Sequence, residues 1–207
     1  MPINYTIHAN IVDINADTPK LDDLFLVDTN VWFWMTYSKV TSNAPKQWPY
    51  YPAYLNKALA TGSSVRHVGL SLAELAHIIE RTEREIYNKT HKKKYSDKEA
   101  KAYRHNLAAE RTRVAAEIKT AWLQVENLAI PLNQTIDAVT VTSALNRIQT
   151  ENVDGYDLFI LESMKAHGVI KVITDDGDFA TVSGIEVFTA NRNVINAASA
   201  QGKVIVR

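Results

Sequence analysis

A chain of 207 residues, 46% hydrophobic and 22% charged, has the composition of a soluble globular protein with room for one sizeable core. It contains no cysteine, which excludes both a disulfide scaffold and a thiolate metal site. Its 23 Lys+Arg cancel 23 Asp+Glu, but residues 81–119 hold 12 basic against 6 acidic residues, leaving 11 basic and 17 acidic elsewhere. That split suits a polyanion-binding arm beside an acidic pocket, and equally a solvated helix face. The amino terminus has no basic flank before an apolar run. No apolar stretch reaches the roughly 20 residues that cross a bilayer, so a cytoplasmic protein without a membrane segment is expected.

Residues 3–14 alternate enough for an edge strand or an extended arm, and residues 17–23 form a polar linker. Residues 1–23 therefore read as an amino-terminal extension to a single α/β domain over 24–207. LFLV, residues 24–27, is a short buried strand that delivers Asp28 at its carboxyl end, and Thr29 and Asn30 turn the chain into an apolar helix near Val31. Four apolar residues between polar turn formers suit a central parallel strand, and ligands of such sheets gather at the carboxyl ends of strands. Asp28 is equally good helix-capping chemistry. Pro45, Pro49 and Pro52 predict a loop over residues 36–54, with Trp48, Tyr50, Tyr51 and Tyr54 anchoring it to the core rather than stacking on bases. A helix over 53–60 follows, ended by Gly62.

Residues 64–70 predict a second strand. A helix then opens at Ser71, with Leu72, Leu75, Ile78 and Ile79 on one face. Glu74 stands three residues after Ser71, which is capping-box spacing; a glutamate there also faces the carboxyl edge of the sheet, near Asp28. A basic helical arm follows at about 80–127. Ser96 and Glu99 repeat the capping-box spacing before a long helix over 97–126, and a break at 90–95 folds the arm into an antiparallel hairpin. His91, Lys92, Lys93 and Lys94 crown its tip, and these lysines with Arg104 and Arg111 are candidate phosphate contacts, or plain solvated charge. Residues 128–132 read as an extended connection and 135–148 as a helix with Ile136, Val139, Leu145 and Ile148 inward. In NVDGYDLFILESMKAHGV a helix starts at Asp154 or Gly155, carries Asp157 in its first turn, packs Leu158, Leu161 and Ala166, and ends at Gly168. VIKVIT is another buried strand, running into Asp175, Asp176, Gly177 and Asp178. A small turn at Phe179, the strand GIEVF, a short helix and an edge strand at 204–206 close the chain.

One pattern repeats: a strand, then an acidic residue at its end or in the next helix's first turn. It occurs at Asp28, Glu74, Asp157 and Asp175/Asp176/Asp178. Parallel order gathers such groups at one sheet edge, where their mutual repulsion calls for cations. Oxygen ligands without cysteine select Mg²⁺ or Mn²⁺ over zinc. Four separate caps at equivalent positions is the less economical reading.

These pieces resemble a known family. VDTNV around Asp28, SLAEL around Glu74, GYDLFILESMKAHGV around Asp157, and ITDDGDF followed by GIEVFTAN occur in the order of the PIN-domain nucleases, which include the VapC-type toxins. The resemblance spans about residues 24–191 and implies a three-layer α/β/α fold around a parallel sheet, here with the helical hairpin inserted. It implies an endoribonuclease using one or two Mg²⁺ or Mn²⁺ ions, with Asp28, Glu74, Asp157 and Asp176 catalytic and metal-binding and Asp178 supporting the metal. Asp175 falls at a position that varies in the family. Asp154, one turn before Asp157, suits an N-cap better than the site. Asn30 and Thr174 would orient carboxylates or water by hydrogen bonds. The reaction implied is phosphodiester hydrolysis leaving a 5′-phosphate and a 3′-hydroxyl, with RNA as substrate and an antitoxin protein or a second copy as partner. The chain exceeds a minimal toxin by its amino-terminal extension and its long arm, so the nuclease expectation is the firmer. The rivals are a catalytically silent PIN-fold scaffold and a structure-specific DNA nuclease. A dehalogenase-like site would need Asp-x-Asp where Asp28-Thr29-Asn30 stands, and no glycine-rich phosphate loop or G-x-S-x-G elbow occurs.

Overall fold

The computed structural model describes residues 3–39, 44–153 and 155–207. Asp154, a candidate helix start, lies outside them. Six strands form one sheet: β1 (Asn10–Asp13), β2 (Leu24–Val27), β3 (Ser64–Val68), β4 (Ile130–Leu132), β5 (Lys171–Ile173) and β6 (Glu186–Thr189). Their order is β1-β6-β5-β2-β3-β4, and every pairing is parallel. Successive side chains point to opposite faces, so Leu26, Val172 and Val187 enter one core while Phe25, Val27, Ile173 and Phe188 enter the other.

Among the described residues, eight α-helices cover the two faces. The Phe25 face carries α1 (Thr29–Thr36), α2 (Tyr50–Thr61), α3 (Leu70–His91) and α5 (Ala108–Leu128). Packed on the Leu26 face are α6 (Ala138–Ile148), α7 (Asp157–Ala166) and α8 (Arg192–Ala200). The short α4 (Ala100–Asn106) belongs to the arm. This is a three-layer α/β/α fold with the helical hairpin inserted between β3 and β4; the edge strand expected at 204–206 is reduced to a single bridge between Val204 and Ile11. The predicted edge strand near the amino terminus is β1, and the extended stretch at 128–132 contains the other edge strand, whose Pro131 suits an edge. Among the described residues no helix is long and apolar enough to cross a membrane.

Several local expectations are overturned. The loop predicted to reach residue 54 ends at Pro49, because Pro52 sits in the first turn of α2, where a missing N–H costs nothing. Tyr51 and Tyr54 are buried anchors, whereas Tyr50 is half exposed. The single long helix over 97–126 is broken at Leu107, whose backbone leaves the helical region. Its capping box does form, but over a 3₁₀ turn at Asp97–Glu99 that leads into α4. The break lets α4 fold back, so Tyr103 packs against Tyr87 and Tyr95 and donates to Glu110 at 3.1 Å. In one unbroken helix those two residues would stand about 10.5 Å apart along the axis.

The largest correction concerns α6. It begins at Ala138, and Ile136, Val139, Leu145 and Ile148 are all exposed rather than inward. Its inner side is polar instead: Arg147 is clamped to Glu162 of α7 at 2.8 Å, and Ala144 is the residue of α6 that is buried. Once that ion pair fixes the rotation, the aliphatic stripe has to turn outward. Ala166, expected on the apolar side of α7, is exposed too, because α7 ends there and Gly168 takes the left-handed conformation beyond it. Leu72 is also partly exposed, since α3 starts one residue earlier than Ser71.

Candidate functional site

The strand order runs outward from β2 in one direction through β3 and β4, and in the other through β5 and β6. The reversal between β2 and β5 opens a crevice at the carboxyl edge, where parallel α/β sheets bind ligands. Asp28 stands at that point. Its amide donates to Ile173 O at 3.1 Å, extending the ladder by one residue, and its carboxylate then starts α1. Both sequence readings of Asp28 hold at once. It is the N-cap, accepting from Thr29 N at 2.6 Å, and it is also a buried carboxylate at the sheet edge.

The Asp28 Oδ2 atom accepts from Asn30 Nδ2 and from Thr174 Oγ1, each at 2.6 Å. Asn30 lies in the first turn of α1 and Thr174 directly after β5, so the two neighbouring elements clamp one carboxylate. Thr174 Oγ1 in turn accepts from the Asp176 amide at 2.8 Å, which fixes the start of the acidic turn after β5. Burial drives the Asp28 carboxyl up to about 7, helped by the negative charges of Glu74 and Asp176 and opposed by the hydrogen bonds from Thr174 and Thr29.

Glu74 does not cap α3. The cap position is Gly69, Ser71 Oγ is buried without a partner, and Glu74 Oε2 is buried without one as well. The capping box fails because α3 begins at Leu70, which puts Ser71 inside the helix rather than before it. A buried, partnerless carboxylate oxygen is costly, and the Glu74 charge acts on Asp28 at the end of the neighbouring strand.

Of the three aspartates after β5, Asp175 is turned to a different task. It accepts from Tyr51 Oη at 2.5 Å and Gln47 Nε2 at 3.0 Å, and its main-chain oxygen accepts from Asn191 Nδ2 at 2.8 Å. Asp176 is exposed, and its Oδ1 accepts from the Asp178 amide at 2.9 Å. Asp178 is half buried at the start of the 3₁₀ turn Asp178–Thr181. Asp157 is the first residue of α7 and half buried. Its neighbour Tyr156 shares a groove of about 700 Å³ with Leu72 and Ala73, so the starts of α7 and α3 face one another.

The arm is less free than its charge suggests. Arg104 holds Glu80 through two bonds at 2.8 and 2.6 Å, Arg84 pairs with Asp97, and Arg113 pairs with Glu83 and Glu110. Glu83 is fully buried; burial pushes its carboxyl up, but hydrogen bonds from Lys39, Arg113 and Tyr37 outweigh this and hold it below the ordinary range. Arg111 is half exposed on the rim of the groove, with Lys119 beside it and Trp122 below. Lys92, Lys93 and Lys94 are exposed at the tip, about 27 Å along α3 from Glu74.

Asp28, Glu74, Asp176, Asn30 and Thr174 are thus brought together, with Asp178 one residue beyond Gly177 and Asp157 next to the groove residue Tyr156. The donor chemistry fits a hard divalent cation: carboxylate oxygens, one buried and partnerless, in mutual repulsion that a cation would relieve. Among the described residues, no three acidic or histidine side chains are closed into a ready-made cage. Sequence reasoning missed Tyr51 and Gln47 as the holders of Asp175, Asn191 as a brace on the same turn, and Tyr5, which lies against Gly177. The asparagine of TAN after β6 was the one local signal for any of these.

A parallel sheet with acidic residues at its switch point, one of them buried beside a strand end, defines an α/β protein with an acidic crevice at the carboxyl edge of its sheet. The chain belongs to the PIN-domain family, whose model matches residues 25–185. PIN domains are generally metal-dependent nucleases. Among solved structures, the chain is similar to PAE2754 from Pyrobaculum aerophilum, with 12% identity, TM-score 0.43, and coverage of 86% of this chain and 96% of that one. It is also similar to FitAcB from Neisseria gonorrhoeae, with 15% identity, TM-score 0.41, and coverage of 82% and 99%. No curated protein matches the chain.

Proposed function

We propose that this chain is an endoribonuclease that hydrolyses RNA phosphodiester bonds with Mg²⁺ or Mn²⁺, held by Asp28, Glu74, Asp157 and Asp176 with support from Asp178. The observation that carries this reading is the Asp28–Glu74 pair. A buried carboxylate pushed up to about 7 faces a second with a partnerless oxygen, at the switch point of a PIN-domain sheet. A bound divalent ion would supply charge neutralisation at the scissile phosphate and an activated water. The chain's own residues do the rest. Asn30 and Thr174 hold Asp28 in one orientation, Thr174 sets the acidic turn, and exposed Asp176 is accessible to substrate. The VapC-type toxin role, with an antitoxin or a second copy as partner, is supported by the resemblance of the four motifs. Cleavage of end-labelled RNA and DNA in Mg²⁺, Mn²⁺ or EDTA tests the reading. Metal-dependent RNA cuts are expected; undiminished cutting in EDTA sinks the metal chemistry, and cuts confined to DNA sink the RNA assignment.

RNA would enter along the groove lined by Trp122, Arg111 and Lys119, which runs to Ala73 and Tyr156, the chain neighbours of Glu74 and Asp157. The lysine tip is too distant for the scissile phosphate and would hold backbone several nucleotides away. Replacing Lys92, Lys93 and Lys94 by Gln should therefore weaken RNA binding and reduce the slope of log K against log salt by about 2. Filter binding at several salt concentrations measures it; an unchanged slope makes the tip a solvated turn. Arg104, locked on Glu80, is not expected to contribute to that slope.

A further inference from the structure

The amino-terminal extension has so far no part in the chemistry, yet it touches the acidic turn. Gly177 sits between Asp176 and Asp178 with φ −74° and ψ −16°, a conformation that any L-residue adopts. Its backbone does not need a glycine. Space does: a methyl carbon built on Gly177 would lie 2.3 Å from Tyr5 Cζ and 2.4 Å from Tyr5 Cε1 and Oη, far inside van der Waals contact. The Tyr5 ring therefore rests directly on the peptide that separates the two candidate metal-binding aspartates.

Tyr5 is itself fixed from behind. Its carbonyl accepts from Gln201 Nε2 at 3.0 Å, and the same Gln201 accepts from Ile7 N at 2.9 Å. Ile7 is buried in the core beneath α7 and α8, and the amides of His8 and Ala9 both donate to Ala180 O, on the turn that follows Asp178. The segment 5–9 is thus tied at both ends to the element carrying the acidic turn. Its phenol stands in the field of three carboxylates: burial raises the hydroxyl above its ordinary value, and Asp176, Asp178 and Asp175 raise it further.

We propose that Tyr5 is a positioning residue of the candidate nuclease site, clamping Gly177 so that Asp176 and Asp178 keep the orientation that receives the cation. The inference rests on the metal-nuclease reading, but part of it is measurable without metal. Outer partners of metal ligands typically contribute 10–100-fold in metal affinity. The Tyr5 ring also packs on the edge of the core, so its loss lowers stability somewhat, while Ile7 and the bonds to Gln201 and Ala180 keep the segment in place.

The test uses the full chain as Tyr5→Ala, Tyr5→Phe, Gly177→Ala and the Tyr5→Ala/Gly177→Ala double variant. Mn²⁺ affinity is read by paramagnetic resonance of the free ion, and amide exchange of residues 176–178 is read in metal-free protein. Tyr5→Ala is expected to weaken Mn²⁺ binding about 10-fold or more and to speed exchange of the Asp178 amide, in a protein that still melts cooperatively. Tyr5→Phe, which keeps the ring, should bind Mn²⁺ as the parent does. Gly177→Ala should weaken binding in the parent and add little once Tyr5 is Ala, because the two act through one contact. Parent-like Mn²⁺ affinity and exchange in Tyr5→Ala overturn the clamp while leaving the metal site standing. A parent protein that binds no Mn²⁺ overturns the metal reading and the clamp with it, and an exchange change alone would then record packing only.

Discussion

Asp28→Asn is expected to remove metal-dependent cleavage by more than about 100-fold, the upper end of what outer partners of a metal ligand cost, while leaving a folded protein. The reason is the carboxylate's isolation. It is buried, its two oxygens take three donors, and Glu74 and Asp176 bring like charge. With its pKa near 7 in the folded chain against about 3.9 when unfolded, Asp28 holds a proton across that window that the unfolded chain has released. Stability therefore falls as pH rises from about 4 to 7, and Asp28→Asn should flatten that part of the curve. A cation must displace the same proton, so added Mn²⁺ should raise the thermal midpoint more at pH 8 than at pH 5.5. Thermal melts of both proteins across that range, with and without Mn²⁺, measure all of this. Retained cleavage, or superimposable stability curves, would show that Asp28 is only a helix cap.

The second large effect is expected at the opposite edge of the sheet. Arg207 reaches Asp17 Oδ2 and Asp23 Oδ1, each at 2.6 Å, with its guanidinium 4.4 Å over the Phe188 ring, and Lys171 also holds Asp23 at 2.7 Å. Both carboxylates are almost wholly buried. Burial pushes the Asp23 carboxyl up, but hydrogen bonds from Arg207, Lys171 and the Lys20 amide outweigh it and hold the group below its ordinary value. Arg207→Ala takes the guanidinium from two buried acids, leaving Asp23 to Lys171 and Asp17 to the Tyr54 hydroxyl, and should cost about 3 kcal/mol at pH 7. Asp23 contributes stability above its unfolded pKa and loses it as pH falls through its lower folded pKa. The gap between parent and variant should therefore narrow below about pH 4. Urea midpoints at pH 7 and pH 3.5 check it; a cost under about 0.5 kcal/mol at pH 7 would mean that water reaches the pair. Arg207→Lys should recover only part, since an ammonium cannot fork between two carboxylates.

Much of the fold is legible in the chain because parallel strands are local apolar runs. LFLV, SVRHV and KVI each announce themselves, and each hands on to the polar residue that begins the crevice. The same locality makes Asp28 and the acidic turn visible. What the sequence leaves open depends on partners distant in the chain. Whether Glu74 caps α3 or faces Asp28 turns on a one-residue shift in where the helix begins. Asp175 and Asp176 look equivalent until Tyr51 and Gln47, about 125 residues away, take the first of them. The rotation of α6 is set by Arg147 against Glu162, so a clean aliphatic periodicity gave the wrong inner face. The interruption at Leu107 carries neither Pro nor Gly, and only the packing of Tyr103 explains it.

The edge strand β1 has a consequence for how the molecule comes together. Asn10 pairs with Glu186, so β1 has its hydrogen-bonding neighbour 176 residues downstream. Pairings of such long sequence separation close slowly, because the loop entropy must be met before any contact rewards it. While synthesis proceeds, residues 10–13 wait as an unpaired strand with Ile11 and Val12 uncovered, a hazard for association with other chains. Only when β6 has emerged can β1 dock and bring Tyr5 down on Gly177.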